Sequence, residues 1–232
     1  MINNDIDVFF NQVFENRINE KMFFYNYKFE HELVIEYIKK ICSYEVNNFY
    51  EYIFKFPIED ELESRDIIQF SSFNDCTLNI CLKIKKQGDK GFCFDDVGKI
   101  LLDDGLSRNQ LAYKKYGENH SKTSFELGLI QFKDHFTFLS CFGEVINDLE
   151  PALQEAFLLR LCLRIKEVRY LLGKAKIGIV DINKDFSFLS ESTIIRRLSN
   201  IKKVLMYIKS RSDDVYEDIF SNILFKGSLL LN

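Results

Sequence analysis

The stretch YKKYGENHSKTSFELGLIQFKDHFTF, residues 113–138, decides how the rest of the chain is interpreted. The part before Gly128 predicts helix, and Gly128 suits the left-handed residue that ends many helices. The following LIQFKDHFTF predicts two short strands joined at Lys133–His135. A basic helix, a glycine stop and a hairpin therefore follow one another directly.

The flanking segments extend this order in both directions. FDDVGKILLDDG, residues 94–105, predicts a short helix with an aspartate near its start and Gly105 after its end. SRNQLAYKKYGENHSKTSFELG, residues 107–128, predicts one or two further helices. Ser140 occupies an N-cap position ahead of the next helix. Helix, helix, glycine stop and hairpin is the order of a winged helix-turn-helix, a common DNA-binding module.

The region before this module predicts helices and one β-hairpin. Apolar residues recur at helical spacing through the first fifty residues. TLNICLKIKK, residues 77–86, alternates apolar and polar side chains, which predicts a strand. DIIQF, residues 66–70, is its expected partner. KQGDKG, residues 86–91, carries two glycines among charges and predicts a linker.

The region after the module predicts a long helix and a second helix-turn-helix-like unit. The long helix should run from Glu150 to about Leu172, with Pro151 in its first turn. Ser190 is the expected cap of a later helix. Apolar residues lie along one face of that helix, at Ile194, Leu198, Ile201, Leu205 and Ile208, and basic residues lie along the opposite face, at Arg196, Arg197, Lys202, Lys203 and Lys209.

Composition excludes several classes of protein. The chain has 47% hydrophobic and 28% charged residues, which is ordinary for a folded protein. Its apolar runs are far shorter than the roughly 20 residues that span a bilayer. Acidic residues near the N-terminus argue against a signal peptide, so we expect a cytoplasmic protein. The six cysteines form no C-x-x-C pair, which predicts reduced thiols and no metal site. No cofactor motif occurs.

Charge is divided unequally along the chain. Residues 1–80 contain 15 acidic and 7 basic residues, a net charge of −8, whereas residues 81–232 contain 20 acidic and 24 basic residues, a net charge of +4. Electrostatic attraction acts over about one Debye length, so the local balance matters more than the total of −4. The C-terminal two-thirds is therefore the expected binding surface.

Residues 92–210 resemble tandem winged-helix segments of bacterial restriction–modification and related DNA-defence proteins. The landmarks are VGKILL, YKKYGENHSKTSFELGLI, FTFLSCFGEVI with its L-S/T-x-x-G step, and LSESTIIRRLSNIKKVLMYI. In the resembling proteins the last landmark reads Ser-x-x-Thr-hydrophobic-Arg-Arg, and here Ser190, Thr193, Arg196 and Arg197 have similar spacing. The resemblance implies a recognition subunit or regulator that binds double-stranded DNA in a defence system.

These observations predict a helix-rich α+β chain with three parts: an assembly domain over 1–86, a first winged-helix unit over 87–148, and a long helix with a second unit over 149–232. The expected DNA contacts are Arg108, Lys114, Lys115, His120, Lys122, Lys133, Ser192, Thr193, Arg196, Arg197, Lys202 and Lys203. The opposing interpretation is that these residues form solvated faces or internal ion pairs. We expect a homodimer or a subunit of a defence complex, with no membrane contact.

Two other functions stay open. Restriction-type nucleases place two carboxylates and a lysine around a divalent metal. Lys83 and Lys85 follow Asp75, but the second carboxylate is missing, so a nuclease would need a diverged site within 1–86 that uses Glu59, Asp60, Glu61 or Asp66. The third function is a protein–protein adaptor. No complete catalytic motif occurs, which favours a protein that is not an enzyme.

Overall fold

A computed structural model describes residues 30–43, 62–88, 90–212, 217–225 and 228–229. The chain is helix-rich α+β and divides into two compact units. The described part of the first unit is residues 30–43 and 70–157, and that of the second is residues 62–69 and 158–229. The sequence boundaries at 86 and 148 fall inside the first unit, but compactness does not test which segments act as separate domains, so the three-part division stays a prediction.

The first unit contains six α-helices, two 3₁₀ helices (Asn74–Cys76 and Ile146–Asp148) and a hairpin among its described residues, with α6 continuing into the second unit. In chain order the α-helices and strands are α1 (His31–Ser43), α2 (Leu78–Lys86), α3 (Phe94–Leu101), α4 (Gln110–Glu126), β1 (Ile130–Lys133), β2 (Phe136–Leu139), α5 (Cys141–Val145) and α6 (Pro151–Leu163).

Helix α2 replaces the strand that the alternation over residues 77–86 predicts, so that prediction is wrong. The side chains that this segment buries are Ile80, Cys81 and Ile84, at the i, i+1, i+4 spacing of a helix face. Leu82, which a strand would bury on the same face as Ile80 and Ile84, is 37% exposed. Lys83 then donates to the carbonyl oxygens of Ile100 and Leu101, both at 3.0 Å, and so caps the end of α3.

Residues 66–70 form no strand either, so the N-terminal β-hairpin is absent from the described part of the chain. Residues 64–66 form a 3₁₀ turn, and the amide of Ile68 donates to Oε1 of Glu167 at 2.7 Å instead of to a neighbouring strand. The helical spacing predicted from Ile6 to Ile18 and from Val46 to Ile53 lies outside the described residues. Helix α1 confirms the helical prediction at Tyr37 and Ile41, both of which are buried.

Helices α3 and α4 cross at two glycines. Gly98 of α3 lies against the backbone of Tyr113, and Gly117 of α4 lies against the backbone of Phe94. A β-carbon at either glycine would overlap a carbonyl oxygen of the other helix. Residues 110–126 form one continuous helix in which Gly117 permits this close approach rather than ending the helix.

The hairpin after α4 follows the sequence prediction closely. Gly128 has φ +80°, and β1 pairs with β2 antiparallel with Lys133 opposite Phe136. Asp134 and His135 both have positive φ, the backbone of a two-residue type I′ turn. Phe92 adds a third, one-residue strand: its amide and carbonyl bond Thr137 at 3.0 and 2.8 Å.

The second unit contains a small mixed sheet and further helices. Its remaining elements are α7 (Lys166–Ile177), β3 (Val180–Asp181), α8 (Ile182–Asp185), α9 (Glu191–Lys209), α10 (Glu217–Ser221), β4 (Ile223–Phe225) and β5 (Ser228–Leu229). The sheet order is β3-β4-β5, with β3 parallel to β4 and β4 antiparallel to β5.

The single long helix predicted from Glu150 to Leu172 is wrong, because α6 and α7 are separate. Ile165 has extended backbone (φ −61°, ψ 129°) and is fully buried between them. No proline or glycine marks this break, so packing rather than a helix-breaking residue ends α6. Pro151 does occupy the first turn of α6, as the sequence predicts.

Candidate functional site

The outward face of α4 carries a stripe of exposed side chains. Leu111, Lys114, Lys115 and Lys122 are exposed and recur at the i, i+3, i+4 and i+11 positions of one helix face. The helix starts where it does because the side chain of Asn109 accepts a hydrogen bond from the amide of Ala112 at 2.8 Å. This cap fixes which residues stand in the leading turn.

Lys114 and Lys115 are the exposed cations of this stripe that make no ion pair within the described part of the chain. Lys122 differs, since its ammonium lies 2.5 Å from Oε1 of Glu118. That i,i+4 pair is largely exposed and therefore weak, so Lys122 can still turn toward another anion. Lys133 is exposed beside the turn of the hairpin and forms no ion pair with any described residue.

Arg108 is held by its own loop. Its two terminal nitrogens bind the two carboxylate oxygens of Asp104, at 2.7 and 2.6 Å, and one of them also donates to the carbonyl of Leu106. The guanidinium lowers the pKa of Asp104 to about 2. Because the bidentate fork is already occupied, Arg108 orders the loop that leads into α4 and does not present its fork to a ligand.

His120, an expected DNA contact, does not lie on the exposed stripe. The residue has no exposed surface. Its Nδ1 lies 2.8 Å from the carbonyl of Tyr116, and its Nε2 accepts the amides of Ser71 and Ser72, both at 3.3 Å. These partners require the neutral ring protonated on Nδ1. Burial lowers the pKa of His120 and so keeps the ring neutral.

Several inward-facing polar side chains of α4 bind the segment before α2. Besides the two bonds to His120, the hydroxyl of Tyr116 donates to Oδ2 of Asp75 at 2.7 Å, and that of Ser124 donates to the carbonyl of Cys76 at 2.7 Å. Burial, with the Asp75 contact second, raises the pKa of Tyr116. Polar residues of α4 therefore divide into an inner structural set and an outer exposed set, which share one sequence run.

The second unit places its predicted contacts at the start of α9. Ser190 precedes the helix, but its hydroxyl donates to Oγ1 of Thr193 at 2.8 Å instead of accepting a backbone amide. Ser192 and Arg196 are exposed. Arg197 is half-buried and donates to the carbonyl of Ser64. Burial, followed by the charge of Arg196, lowers the pKa of Arg197. The two adjacent arginines therefore have different surroundings.

Farther along α9, the basic residues are partly occupied. The ammonium of Lys202 lies 5.7 Å from the ring centre of Phe225, within range of a cation–π interaction. Lys203 is exposed, and like Lys202 it interacts with another group of the protein. The apolar stripe is buried as predicted at Leu198, Ile201, Leu205 and Ile208.

The described residues that were considered for a nuclease site make hydrogen bonds and ion pairs within the protein. Both carboxylate oxygens of Asp75 accept hydrogen bonds, from Asn79 and Tyr116. Lys85 binds the carbonyl of Glu144 at 2.7 Å and the carboxylate of Asp148 at 2.6 Å. Asp66 pairs with Lys166 at 2.9 Å. Glu59, Asp60 and Glu61 lie outside the described residues, and within those residues no group of three His, Cys, Asp or Glu side chains could hold a metal ion.

Two exposed residues of the leading turn of α4, Gln110 and Leu111, were not singled out by sequence. Leu111 is 72% exposed. The signal that could have found them is Asn109: a polar cap three residues before Ala112 fixes the next two residues as the first turn. The cysteines in the described part of the chain are all free thiols, and three of them, Cys76, Cys81 and Cys162, are buried.

Across the described residues, no helix is both long and apolar enough to cross a membrane.

Comparison with known proteins finds no relative of this chain. No protein-family model matches the chain, and neither the curated proteins nor the solved structures contain a significant match to it.

Proposed function

We propose that residues 78–139 form a winged helix-turn-helix that binds duplex DNA, with α4 in the major groove and the β1–β2 turn against the backbone. The order of elements supports this proposal. Helix α2, the single strand residue Phe92, helices α3 and α4, and the β1–β2 hairpin follow one another as in winged modules, and Phe92 completes a three-stranded ribbon with the hairpin.

The observation that carries the proposal is the outward face of α4. In a helix-turn-helix the second helix of the pair presents its exposed face to the DNA. Here that face carries Lys114 and Lys115, which no described carboxylate neutralises, and Lys133 lies beside the hairpin turn that follows. Cations left uncovered at the positions where a duplex would lie are suited to phosphate contacts.

The wider setting is also proposed. The resemblance of residues 92–210 to DNA-defence proteins favours a recognition subunit or regulator in such a system. The second unit would add a further DNA contact through Ser192, Thr193, Arg196, Lys202 and Lys203. The acidic residues 1–80 would repel phosphates, which favours a role in assembly, most simply as a homodimer.

The proposal is tested by the salt dependence of binding to a random-sequence duplex of about 30 base pairs. Replacing Lys114 and Lys115 with Ala removes two phosphate contacts. The slope of log K against log salt should become less steep by roughly 0.9 per contact, and affinity should fall for every sequence. The loss should be equal for specific and random duplexes, because phosphate contacts carry no sequence information.

The matched control removes two exposed lysines elsewhere in the first unit. Lys39 lies on α1 and Lys86 at the end of α2, and both are exposed. The Lys39→Ala/Lys86→Ala variant has the same net charge as the test variant and should keep the wild-type slope. Equal slopes in all three proteins would overturn the role of α4. A wild-type chain that binds no duplex at low salt but retains a protein partner would favour the adaptor hypothesis.

A further inference from the structure

The leading turn of α4 combines one exposed apolar side chain with one exposed amide. Leu111 is 72% exposed, more than any other large apolar residue described in the first unit, and Gln110 beside it is also exposed. A single exposed leucine carries no meaning by itself. Leu111 differs because it stands one turn before Lys114 and Lys115 on the same helix face, where the proposed function places the base pairs.

The neighbouring polar groups are already engaged. Arg108 uses both terminal nitrogens on Asp104, so it cannot offer the bidentate fork that recognises guanine. The side-chain oxygen of Asn109 accepts the amide of Ala112. Gln110 is the one carboxamide of this turn whose side chain makes no hydrogen bond to another described residue. The free groups at the leading end of α4 are therefore one carboxamide and one apolar side chain.

This pair of groups matches one base pair better than the others. In the major groove a carboxamide can bind N6 and N7 of adenine together, and an apolar side chain can pack against the 5-methyl group of thymine. Neither group complements the two acceptors that guanine presents, N7 and O6, as an arginine would. Resting on the proposed function, we infer that α4 reads A·T pairs, with Gln110 on an adenine and Leu111 against a thymine methyl group.

The test begins with selection of binding sites from a random duplex library by the full chain. Each thymine of the selected site is then replaced singly by uracil, which removes only the methyl group. For wild type, one such replacement should weaken binding about fourfold, the factor equivalent to burying one methyl group at about 0.8 kcal/mol. For Leu111→Ala, the thymine and uracil duplexes should bind equally. For Gln110→Ala, preference should relax at one selected adenine.

Two controls separate contact from folding. Leu111→Met keeps an apolar group and should retain the sensitivity to uracil. Leu106→Ala makes the same truncation at another exposed leucine, 63% exposed in the loop before α4, and should also retain it. A selection without sequence preference, or an equal uracil penalty in wild type and Leu111→Ala, would overturn the inference while leaving the lysine-dependent binding intact. Loss of all salt-dependent duplex binding would instead overturn the proposed function.

Discussion

Helices α4 and α9 show how similar sequence signals can belong to different structures. Each begins after a polar residue, buries one face and carries adjacent basic residues. Around α4, a glycine-to-glycine crossing with α3 and an antiparallel hairpin complete a compact arrangement. The helix before α9, α8, has only four residues. The strand before α8, β3, pairs in parallel with β4, which follows α9 in the chain.

The difference lies in what each helix does with its cations. Lys114 and Lys115 on α4 have no described ionic partner, whereas on α9 Arg197 binds the Ser64 carbonyl and Lys202 lies over Phe225. A pattern of basic residues therefore does not by itself distinguish a face that binds a ligand from side chains that make contacts within the protein. The pairing of strands and the contacts of each side chain make that distinction.

The largest expected effect on stability comes from a substitution at the crossing of α3 and α4. Gly117→Ala places a methyl group into the carbonyl of Phe94, and backbone on both sides prevents relief. Alanine in a helix interior otherwise stabilises by about 1 kcal/mol over glycine, so the sign of the change is diagnostic. We expect a loss of about 3 kcal/mol in the free energy of unfolding. Hydrogen exchange should show the loss at α4 amides.

The matched substitution in the second unit is Gly178→Ala. Gly178 follows α7 with extended backbone, and no atom lies within 4 Å of a β-carbon built there. Its unfolding free energy should change by less than about 0.5 kcal/mol. If Gly117→Ala were neutral or stabilising, the close crossing of α3 and α4 would be wrong, and with it the feature that sets α4 apart from α9.

Sequence patterns predicted the elements whose cause is local. The hairpin, the Gly128 stop and the Ser140 cap depend on turn and cap chemistry within a few residues, and all three are present. The helix α2 was missed because alternation over ten residues fits a strand as well as a helix that buries Ile80, Cys81 and Ile84. Tertiary contacts, rather than the local pattern, determine that this segment is a helix.

The candidate site was predictable only in part for the same reason. Lys114 and His120 stand six residues apart in one polar run, yet one is exposed and the other is buried against Ser71 and Ser72. The hydrogen bonds that fix His120 reach nearly fifty residues back along the chain, so no local pattern contains them. Arg108 differs, since its partner Asp104 lies only four residues before it, and the sequence pattern alone does not show that the two side chains pair.

The second prediction uses pH to separate the two units. Burial lowers the pKa of His120 below the ordinary 6.5. As pH falls below about 6.5, the unfolded chain gains a proton that the folded chain does not take up, so stability falls with pH, by at most about 1.4 kcal/mol per pH unit for one proton. All three histidines lie in the first unit. Between pH 7 and 5.5, exchange should therefore accelerate first in α4.

The control for this pH effect is His120→Gln, which keeps a hydrogen-bond acceptor near Ser71 and Ser72 but cannot titrate. Its unfolding free energy should depend less steeply on pH over the same interval than that of wild type, even if it is lower throughout. Identical slopes in the two proteins would show that His120 titrates alike in the folded and unfolded chain, contrary to its burial and its two amide donors.

The smallest expected effect separates Arg196 from Arg197. Arg197 donates to the carbonyl of Ser64 and is half-buried, so Arg197→Ala should lower the free energy of unfolding by about 1 kcal/mol. Arg196 is exposed, and Arg196→Ala should change the free energy of unfolding by less than about 0.5 kcal/mol.

If α9 also reads DNA, Arg196→Ala alone should relax preference at one base, by roughly 1–3 kcal/mol. Urea unfolding and binding selections on both variants measure these effects. Equal stability losses would contradict the distinction between the two arginines, and relaxed preference in Arg197→Ala only would reverse their roles in DNA binding.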